Sequence, residues 1–266
     1  MTEPFKFRAG TAPMLVSMPH VGTEVPPDIV LRLSDAAKPL PDTDWHVDRL
    51  YDFLDDLGVS VLTARYSRYV VDLNRPADNK PLYPGASNTG LSPVTTFDDA
   101  PIYLDGGEPD ADEIDTRREA YWRPYHARLQ AELAAIRERH GIAVLWDAHS
   151  IRSQVPRFFD GRLPDLNLGT AGGASAAPAL LSAVEDVART AKDYSWISNG
   201  RFQGGAITRS YGAPAKDIHA VQLELSQITY MNEDAPYGFR DDLASGLRLV
   251  LRGMLEAALS WARARN

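Results

Sequence analysis

The sequence predicts an α/β fold, a three-layer sandwich in which helices cover both faces of a mostly parallel central sheet. Short apolar runs of strand length alternate along the chain with longer amphipathic stretches of helical spacing, a pattern typical of βα units. Polar clusters follow several of the apolar runs. In parallel sheets such clusters gather at the carboxyl edge, where ligands bind.

The first half of the chain begins with an apolar strand and continues through a helix and two further strands. The helix is indicated by apolar residues at helical spacing, with Asp42 or Thr43 as its N-cap and Gly58 as its terminator. Prolines, glycines and asparagines in the last segment predict a long irregular stretch of the functional kind. The predicted elements are a strand over 14–18, a helix over 42–57, strands over 59–64 and 69–73, and an irregular segment over 75–107.

The second half of the chain alternates helices with strands more regularly. A long amphipathic helix contains Pro124, which predicts a kink or a break. The predicted elements are a helix over 110–140, a strand over 142–146, a helix over 176–192, strands over 196–198 and 219–225, and a helix over 241–264. A chain of 266 residues is within the range of one α/β domain, so we expect a single domain over 1–266.

Composition excludes several classes of function. The formal charge of −8 gives no net basic field for nucleic acid, and no apolar run approaches the ~20 residues that span a bilayer. The N-terminus has no apolar targeting segment, so we expect a cytoplasmic protein. Cysteine is absent, so a metal must be held by His, Asp or Glu.

Two histidines follow predicted strands and have small neighbours. His20 comes after the first strand, and His149 comes after the strand over 142–146, with Gly22 and Ala148 leaving room for an ion and a substrate. A hydrolytic metal site takes three protein ligands from His, Asp or Glu and leaves one position for water, whose pKa the metal lowers to about 7. We therefore predict that His20 and His149 bind one divalent ion. The alternative for each is a loop histidine bonded to backbone.

The candidates for the third ligand are Glu24, Asp42, Asp44 and Asp48. Glu24 lies in a loop, so its four-residue spacing from His20 does not predict that the two side chains lie on the same side. Asp42 and Asp44 open the predicted helix, where one carboxylate suffices as a cap. Asp44 is the predicted ligand, and capping by both aspartates is the alternative.

Glu224 alternates with leucines in an otherwise apolar strand. If Leu223 and Leu225 face one side of the sheet, Glu224 and Gln222 face the other. A carboxylate on a central strand is costly to bury unless it is paired, ligating or catalytic. We predict that Glu224 is a general base that activates water, with a partnered glutamate at a sheet edge as the alternative.

Five segments, in order over nearly the whole chain, resemble the N-formylglutamate amidohydrolase (deformylase) family of histidine degradation. SRYVVDLNRP and WDAHSIRS are the most specific stretches. The segments are SMPHVGT (17–23), DTDW (42–45), YSRYVVDLNRP (66–76), WDAHSIR (146–152) and VQLEL (221–225).

The resemblance implies a phosphorylase/hydrolase-like fold akin to zinc carboxypeptidases and hydrolysis of N-formyl-L-glutamate to glutamate and formate. It implies a divalent metal, zinc, with cobalt, manganese or nickel as alternatives. It supports His20, Asp44 and His149 as metal ligands and Glu224 as the catalytic base. The distant peptidase relatives have a tight His-x-x-Glu pair, which this chain lacks. The carboxylate ligand therefore stays open between Asp44, Glu24 and Asp42.

An acidic substrate requires positive charge inside an acidic protein. Arginine binds carboxylates through two parallel hydrogen bonds, and four arginines lie in the motif segments or the glycine-rich stretch; for each, a solvated surface charge is the alternative. Asn74 is a donor for a carbonyl oxygen, and small residues let the backbone approach a ligand. The predicted substrate-binding residues are Arg68, Asn74, Arg75, Arg152, Gly204, Gly205, Thr208 and Arg209.

Two other functions remain compatible with these residues. The same machinery would hydrolyse another N-acylated acidic amino acid, or the fold would serve a non-catalytic protein that binds small acids. A serine hydrolase is disfavoured because no Gly-x-Ser-x-Gly motif occurs. Metal content separates the enzyme from the binding protein.

Overall fold

The computed structural model describes residues 3–80 and 89–265. In this part of the chain one sheet contains β1 (Phe5–Arg8), β2 (Met14–Met18), β3 (Ser60–Ala64), β4 (Ala143–Ile151), β5 (Leu166–Gly169), β6 (Trp196–Ser198) and β7 (Ile218–Ser226). The helices are α1 (Pro27–Val30), α2 (Val47–Leu50), α3 (Leu54–Leu57), α4 (Ala111–Arg117), α5 (Arg123–His140), α6 (Pro178–Thr190), α7 (Ala206–Tyr211) and α8 (Asp241–Arg263), with a π-helical turn (Arg118–Trp122) between α4 and α5. None of the helices in these residues is long and apolar enough to cross a bilayer.

The sheet has the strand order β1-β3-β2-β4-β7-β5-β6. The four central strands β3, β2, β4 and β7 are parallel, whereas β1 and β5 pair antiparallel to their neighbours in that group. The chain goes from β2 to β3 on one side and then to β4 on the other. This reversal between β2 and β4 is the point at which α/β sheets form a ligand crevice.

The two faces of the sheet carry separate apolar clusters. Val144 and Trp146 of β4 point toward α6 and α8, while Ala143 and Leu145 point toward Leu129 and other residues of α5. Successive side chains of a strand alternate between faces, so the buried strands read as continuous apolar runs. The three-layer α/β prediction is confirmed.

The predicted helix over 42–57 and the predicted strand over 69–73 are wrong. The first segment contains only the short helices α2 and α3, and His46 before α2 has a left-handed backbone with φ of 63°. The second is a buried turn in which the amide of Val70 donates to the carbonyl of Ser67. Both segments have apolar residues that pack in the core. The spacing of these residues resembles that of a helix in the first segment and of a strand in the second, although neither element forms.

The helix predicted over 110–140 is divided into α4, the π-helical turn and α5, and the division falls directly before Pro124, as the predicted break requires. The π-helical turn ends at Trp122, so Pro124 falls in the first turn of α5, where a missing N–H is tolerated. The strand predicted to end at 146 continues to Ile151 and carries His149 within it. The sequence reading missed β1, β5 and α7 altogether. The irregular segment over 75–107 is confirmed in its described residues, and 81–88 lie outside them.

Candidate active site

His20, Asp44 and His149 form one buried group at the carboxyl edge of the sheet. One ligand atom from each lies within 4.8 Å of the other two. His20 follows β2, and His149 lies near the end of β4, on either side of the reversal in strand order. Three residues that are far apart in sequence therefore meet because parallel strands end at one edge.

His20 is oriented by the buried carboxylate of Asp72. Its Nε2 is 2.7 Å from Asp72 Oδ1, and its Nδ1 is 3.7 Å from Asp44 Oδ2. Burial alone would raise the pKa of Asp72, but Arg68 in particular holds it well below its usual range, with Nη2 donating to Oδ2 at 2.7 Å. An ionised carboxylate only accepts, so His20 Nε2 carries the proton. Nδ1 is left with its lone pair toward Asp44.

The pKa of His20 is lowered, first by burial and then by Arg68, against the opposing effect of Asp72 and Asp44. A neutral imidazole is the form that binds a metal.

His149 is held between two carboxylates. Its Nδ1 is 3.1 Å from Asp44 Oδ2, and its Nε2 is 3.2 Å from Asp147 Oδ2. Asp147 lies two residues earlier on β4, so both side chains point to the same face. Burial alone would lower the pKa of His149, but Asp147 and Asp44 raise it well above the usual value. The two carboxylates therefore favour positive charge on the His149 ring.

Asp44 is fixed by contacts on both sides of its own peptide. Its Oδ2 accepts from the backbone N–H of Ser150 at 3.1 Å. Gln227 Nε2 donates to the carbonyl of Thr43, and the Tyr230 hydroxyl donates to the carbonyl of Trp45. Contacts from β4 and from the turn after β7 therefore set the position of the Asp44 carboxylate.

The other candidates for the third ligand lie elsewhere. Asp42 Oδ2 accepts from the Tyr69 hydroxyl at 2.7 Å and from the backbone N–H of Phe97 at 3.0 Å. Glu24 pairs with Arg65 at 3.2 Å and is about half exposed. Asp48 is exposed at the start of α2. None of the three belongs to the buried group, and neither Asp42 nor Asp44 caps a helix.

The three donors fit a divalent ion. Two imidazole nitrogens and one carboxylate oxygen are a usual ligand set of hydrolytic zinc sites. Each imidazole also places its second nitrogen on a carboxylate, Asp72 for His20 and Asp147 for His149. This arrangement is common around metal-binding histidines, where it fixes the ring orientation.

Glu224 lies on β7 directly beside His149 of β4 in the parallel register. Burial raises its pKa, and the positive charge at His149 opposes that rise. Gln222, two residues earlier on the same face, accepts from the amide of Gly205 at 2.7 Å through Oε1 and directs Nε2 toward Glu224 Oε2 at 3.4 Å. The sequence prediction that Glu224 and Gln222 share a face is confirmed.

A cavity opens over this group. Of the predicted substrate-binding residues, Arg68, Asn74, Arg75 and Gly205 line it. Its full lining is His20, Arg68, Asn74, Arg75, Phe97, His149, Ser150, Ile151, Phe158, Arg201, Phe202, Gly205, Gln222 and Glu224.

The other four predicted substrate-binding residues lie outside this lining. Arg152 pairs with Asp98 at 2.7 Å, and Arg209 Nε donates to the carbonyl of Gly204 at 2.9 Å. Thr208 is buried against Asp147, with its hydroxyl 3.3 Å from Oδ2. Thr208 therefore contacts the group that orients His149.

Asn74 is held from three directions. Trp122 of the π-helical turn donates to the carbonyl of Arg75 at 2.9 Å. His126 Nε2 is 2.8 Å from the carbonyl of Leu73. The Trp122 and His126 rings stack with centroids 3.6 Å apart, and the backbone N–H of Ile207 donates to Asn74 Oδ1 at 2.8 Å. The fixed carboxamide places Nδ2 3.0 Å from His149 Nε2.

Two glycines are required by close backbone approach. A Cβ on Gly205 would lie 2.3 Å from Asn74 Nδ2, and a Cβ on Gly22 would lie 2.2 Å from the carbonyl oxygen of Tyr66. Gly22 thus lets the turn after His20 pack on the segment that leads to Arg68. Its small size serves this packing, whereas the sequence analysis assigned it to leaving room for an ion.

The sequence reading did not select Asp72, Asp147, Gln222 or Arg201 as site residues. Asp147 had a usable signal, since it precedes His149 by two residues in an apolar strand. Asp72 lies in the specific stretch SRYVVDLNRP. Arg201 lies in a loop without a motif, and nothing local marks it.

Comparison with known proteins gives a consistent picture. The sequence model of the N-formylglutamate amidohydrolase family matches residues 12–231. N-formylglutamate deformylase of Pseudomonas aeruginosa is 54% identical and that of Pseudomonas putida 51%, each match covering 100% of this chain and 99% of the relative. A crystal structure of N-formylglutamate amidohydrolase from Ralstonia eutropha is similar with a TM-score of 0.82 and 26% identity, covering 100% of both chains.

The buried His126 predicts a component of acid sensitivity. Burial lowers its pKa to about 4, against about 6.5 in an unfolded chain. Between these values the unfolded chain binds a proton that the folded chain does not, so stability falls as the pH drops below 6.5. We expect the wild type to lose about 2 kcal/mol more unfolding free energy than His126→Gln between pH 7 and pH 5. Urea unfolding at both pH values measures this, and equal losses would contradict it.

Proposed function

The chain belongs to the N-formylglutamate amidohydrolase family, and from that premise we propose that it hydrolyses N-formyl-L-glutamate to L-glutamate and formate in the cavity described above. One observation supports this most: a buried His-Asp-His group lies beside a buried carboxylate in a cavity lined by arginines. The reaction breaks a linear amide bond, with water as the second substrate.

We propose that His20, Asp44 and His149 hold one divalent ion, with zinc the best match to their donor atoms. When bound, such an ion lowers the pKa of water and polarises a carbonyl oxygen. Asp72 and Asp147 keep the two imidazoles turned toward Asp44. Cobalt, manganese and nickel suit the same donors.

Glu224 is proposed as the group that moves the proton. Its carboxylate lines the cavity next to His149, where it can accept the proton of the attacking water and return it to the nitrogen of the leaving glutamate. Burial favours the protonated form of Glu224, which makes the second transfer possible from a carboxyl group. Gln222 holds the side chain in place from the same face of β7.

Asn74 and Arg75 are proposed to bind the substrate next to the reacting amide. Asn74 Nδ2 lies 3.0 Å from His149 Nε2 and its Oδ1 accepts from the Ile207 N–H, so it is a fixed donor beside His149 that is suited to a carbonyl oxygen. Arg75 follows it in sequence, lines the cavity and brings positive charge. Arg68 already donates to Asp72 at 2.7 Å, so we assign its main effect to the orientation of His20.

We also propose that the chain is one amidohydrolase domain, because β1 and α8, from opposite ends of the chain, pack on the same sheet. The cytoplasmic location stays a prediction from the sequence.

Formate release tests the proposed function directly. We expect the purified protein to release formate from N-formyl-L-glutamate, to lose this activity after treatment with a chelator, and to regain it when zinc is added back. N-formylglutamine and N-formylmethionine should be poorer substrates in kcat/KM, since the cavity arginines have no side-chain carboxylate to bind. Equal efficiency on all three would reject the acidic substrate but leave the amide hydrolysis intact.

Removal of either histidine should abolish metal binding. We expect His20→Ala and His149→Ala to take up less than one tenth of the zinc that the wild type holds, because two of three ligands cannot retain the ion. Elemental analysis of dialysed protein measures this. His140→Ala, at the end of α5 and outside the group, is the control. Full zinc occupancy in both variants would reject the site.

Replacement of Glu224 should separate binding from turnover. Glu224→Gln is nearly isosteric but cannot accept a proton, so we expect normal zinc content and a kcat lowered by roughly 10²–10⁴-fold. Steady-state formate release and zinc content on the same samples measure both effects. A kcat near that of the wild type would assign the proton transfer to another residue.

A further inference from the structure

The cavity has a third arginine, which comes from a different part of the chain. Arg201 lies in the loop between β6 and α7, and it lines the cavity together with Phe158 and Phe202. Its Nε donates to the carbonyl of Phe158, and its guanidinium carbon is 5.6 Å from the centroid of the Phe202 ring. These contacts join two loops at the cavity wall and restrict the orientation of the guanidinium.

A series of contacts through two aromatic residues leads from the His-Asp-His group to Arg201. The guanidinium carbon of Arg68, which is bonded to Asp72 beside His20, is 4.8 Å from the centroid of Phe97. The Phe97 ring contacts the Phe158 ring edge to face at 5.0 Å, and Phe158 contacts Arg201. The cavity lining therefore has a cation at each end of this series of contacts, Arg68 beside Asp72 and Arg201 beside Phe158, with two aromatic residues between them.

The proposed substrate has two carboxylates at different distances from the scissile amide. The α-carboxylate is on the carbon that bears the nitrogen, and the side-chain carboxylate is two methylene groups further away. Arg75, next to Asn74, is suited to the α-carboxylate. Arg201, which is joined to the site through Phe97 and Phe158, is suited to the side-chain carboxylate. The Phe97 and Phe158 rings provide an apolar surface for the methylene groups.

We propose that Arg201 binds the side-chain carboxylate of the substrate and so sets the preference for an acidic side chain. This inference rests on the proposed function. The planar guanidinium suits a carboxylate through paired hydrogen bonds. The half-buried position strengthens the charge interaction compared with a fully solvated arginine.

The alternative is that Arg201 only ties the two loops together. That structural role would affect every substrate equally, whereas carboxylate recognition affects only substrates that carry the charge. The comparison of N-formylglutamate with N-formylglutamine separates the two roles, because the substrates differ by one charged group.

The test measures kcat/KM for both substrates on zinc-loaded wild type, Arg201→Met, Arg201→Gln and Arg201→Lys. We expect Arg201→Met to lower kcat/KM for N-formylglutamate by at least ~30-fold, mainly through KM, and that for N-formylglutamine by less than about threefold. Arg201→Lys should recover part of the loss, because it keeps the charge but not the planar fork. Arg201→Gln keeps an N–H donor for the Phe158 carbonyl but removes the charge. If Arg201→Met does not fold, the kinetics of Arg201→Gln on the two substrates separate carboxylate binding from the loop contact.

Arg162→Met is the matched control. Arg162 pairs with Asp165 at 2.8 Å, has a side chain that is 58% exposed, and lies outside the cavity lining. Its kinetics should equal those of the wild type on both substrates.

Two results overturn the inference alone: equal losses on both substrates in the Arg201 variants, or unchanged activity of those variants on N-formylglutamate. A wild type that releases no formate from N-formylglutamate overturns the proposed function, and this inference with it.

Discussion

The buried carboxylate of Asp72 is the constraint on which the rest of the site depends. It is fully buried, and such a charge is costly unless several donors surround it. Arg68, His20 and the backbone N–H of Asn74 all donate to it. This carboxylate thus fixes the tautomer of His20, the position of the Arg68 guanidinium and the start of the segment that carries the Asn74 carboxamide. The turn over 69–73 has to replace a regular strand to bring these groups together.

The sequence predicts the central sheet well because β2, β4 and β7 are buried on both faces and appear as apolar runs. It also places His20, His149 and Glu224 at one edge, since parallel strands share their direction. The segment over 42–57 misleads because Asp42 and Asp44 have partners that are remote in sequence, Tyr69 and Ser150. No local pattern reveals such partners, so the sequence assigns one of these carboxylates to the cap of a helix that does not form there.

Long-range pairing also explains which site residues the sequence does not identify. Asp147 is an exception, because it contacts His149 on its own strand, and only the two-residue spacing between them marks it in the sequence. Arg201 reaches the cavity through a loop whose course depends on Phe158 in another loop. Positive charge inside an acidic protein is therefore assembled from Arg68 and Arg75 of one segment and from Arg201 of a segment that is remote in sequence. Composition reports only the sum of the charges.

The π-helical turn before α5 has a consequence for deletions in this stretch of the chain. A π-helical turn holds one residue more than the corresponding α-helical turn, and it ends just before Pro124, which cannot donate the N–H that a continuous α-helix would use there. Deletion of one residue in the turn would rotate α4 by about a quarter turn relative to α5. Arg117, which donates to the carbonyl of Val70, would then lose its alignment while Trp122 and His126 kept theirs. A single deletion would thus separate α4 from the Val70 segment, although the stretch looks like an ordinary surface helix.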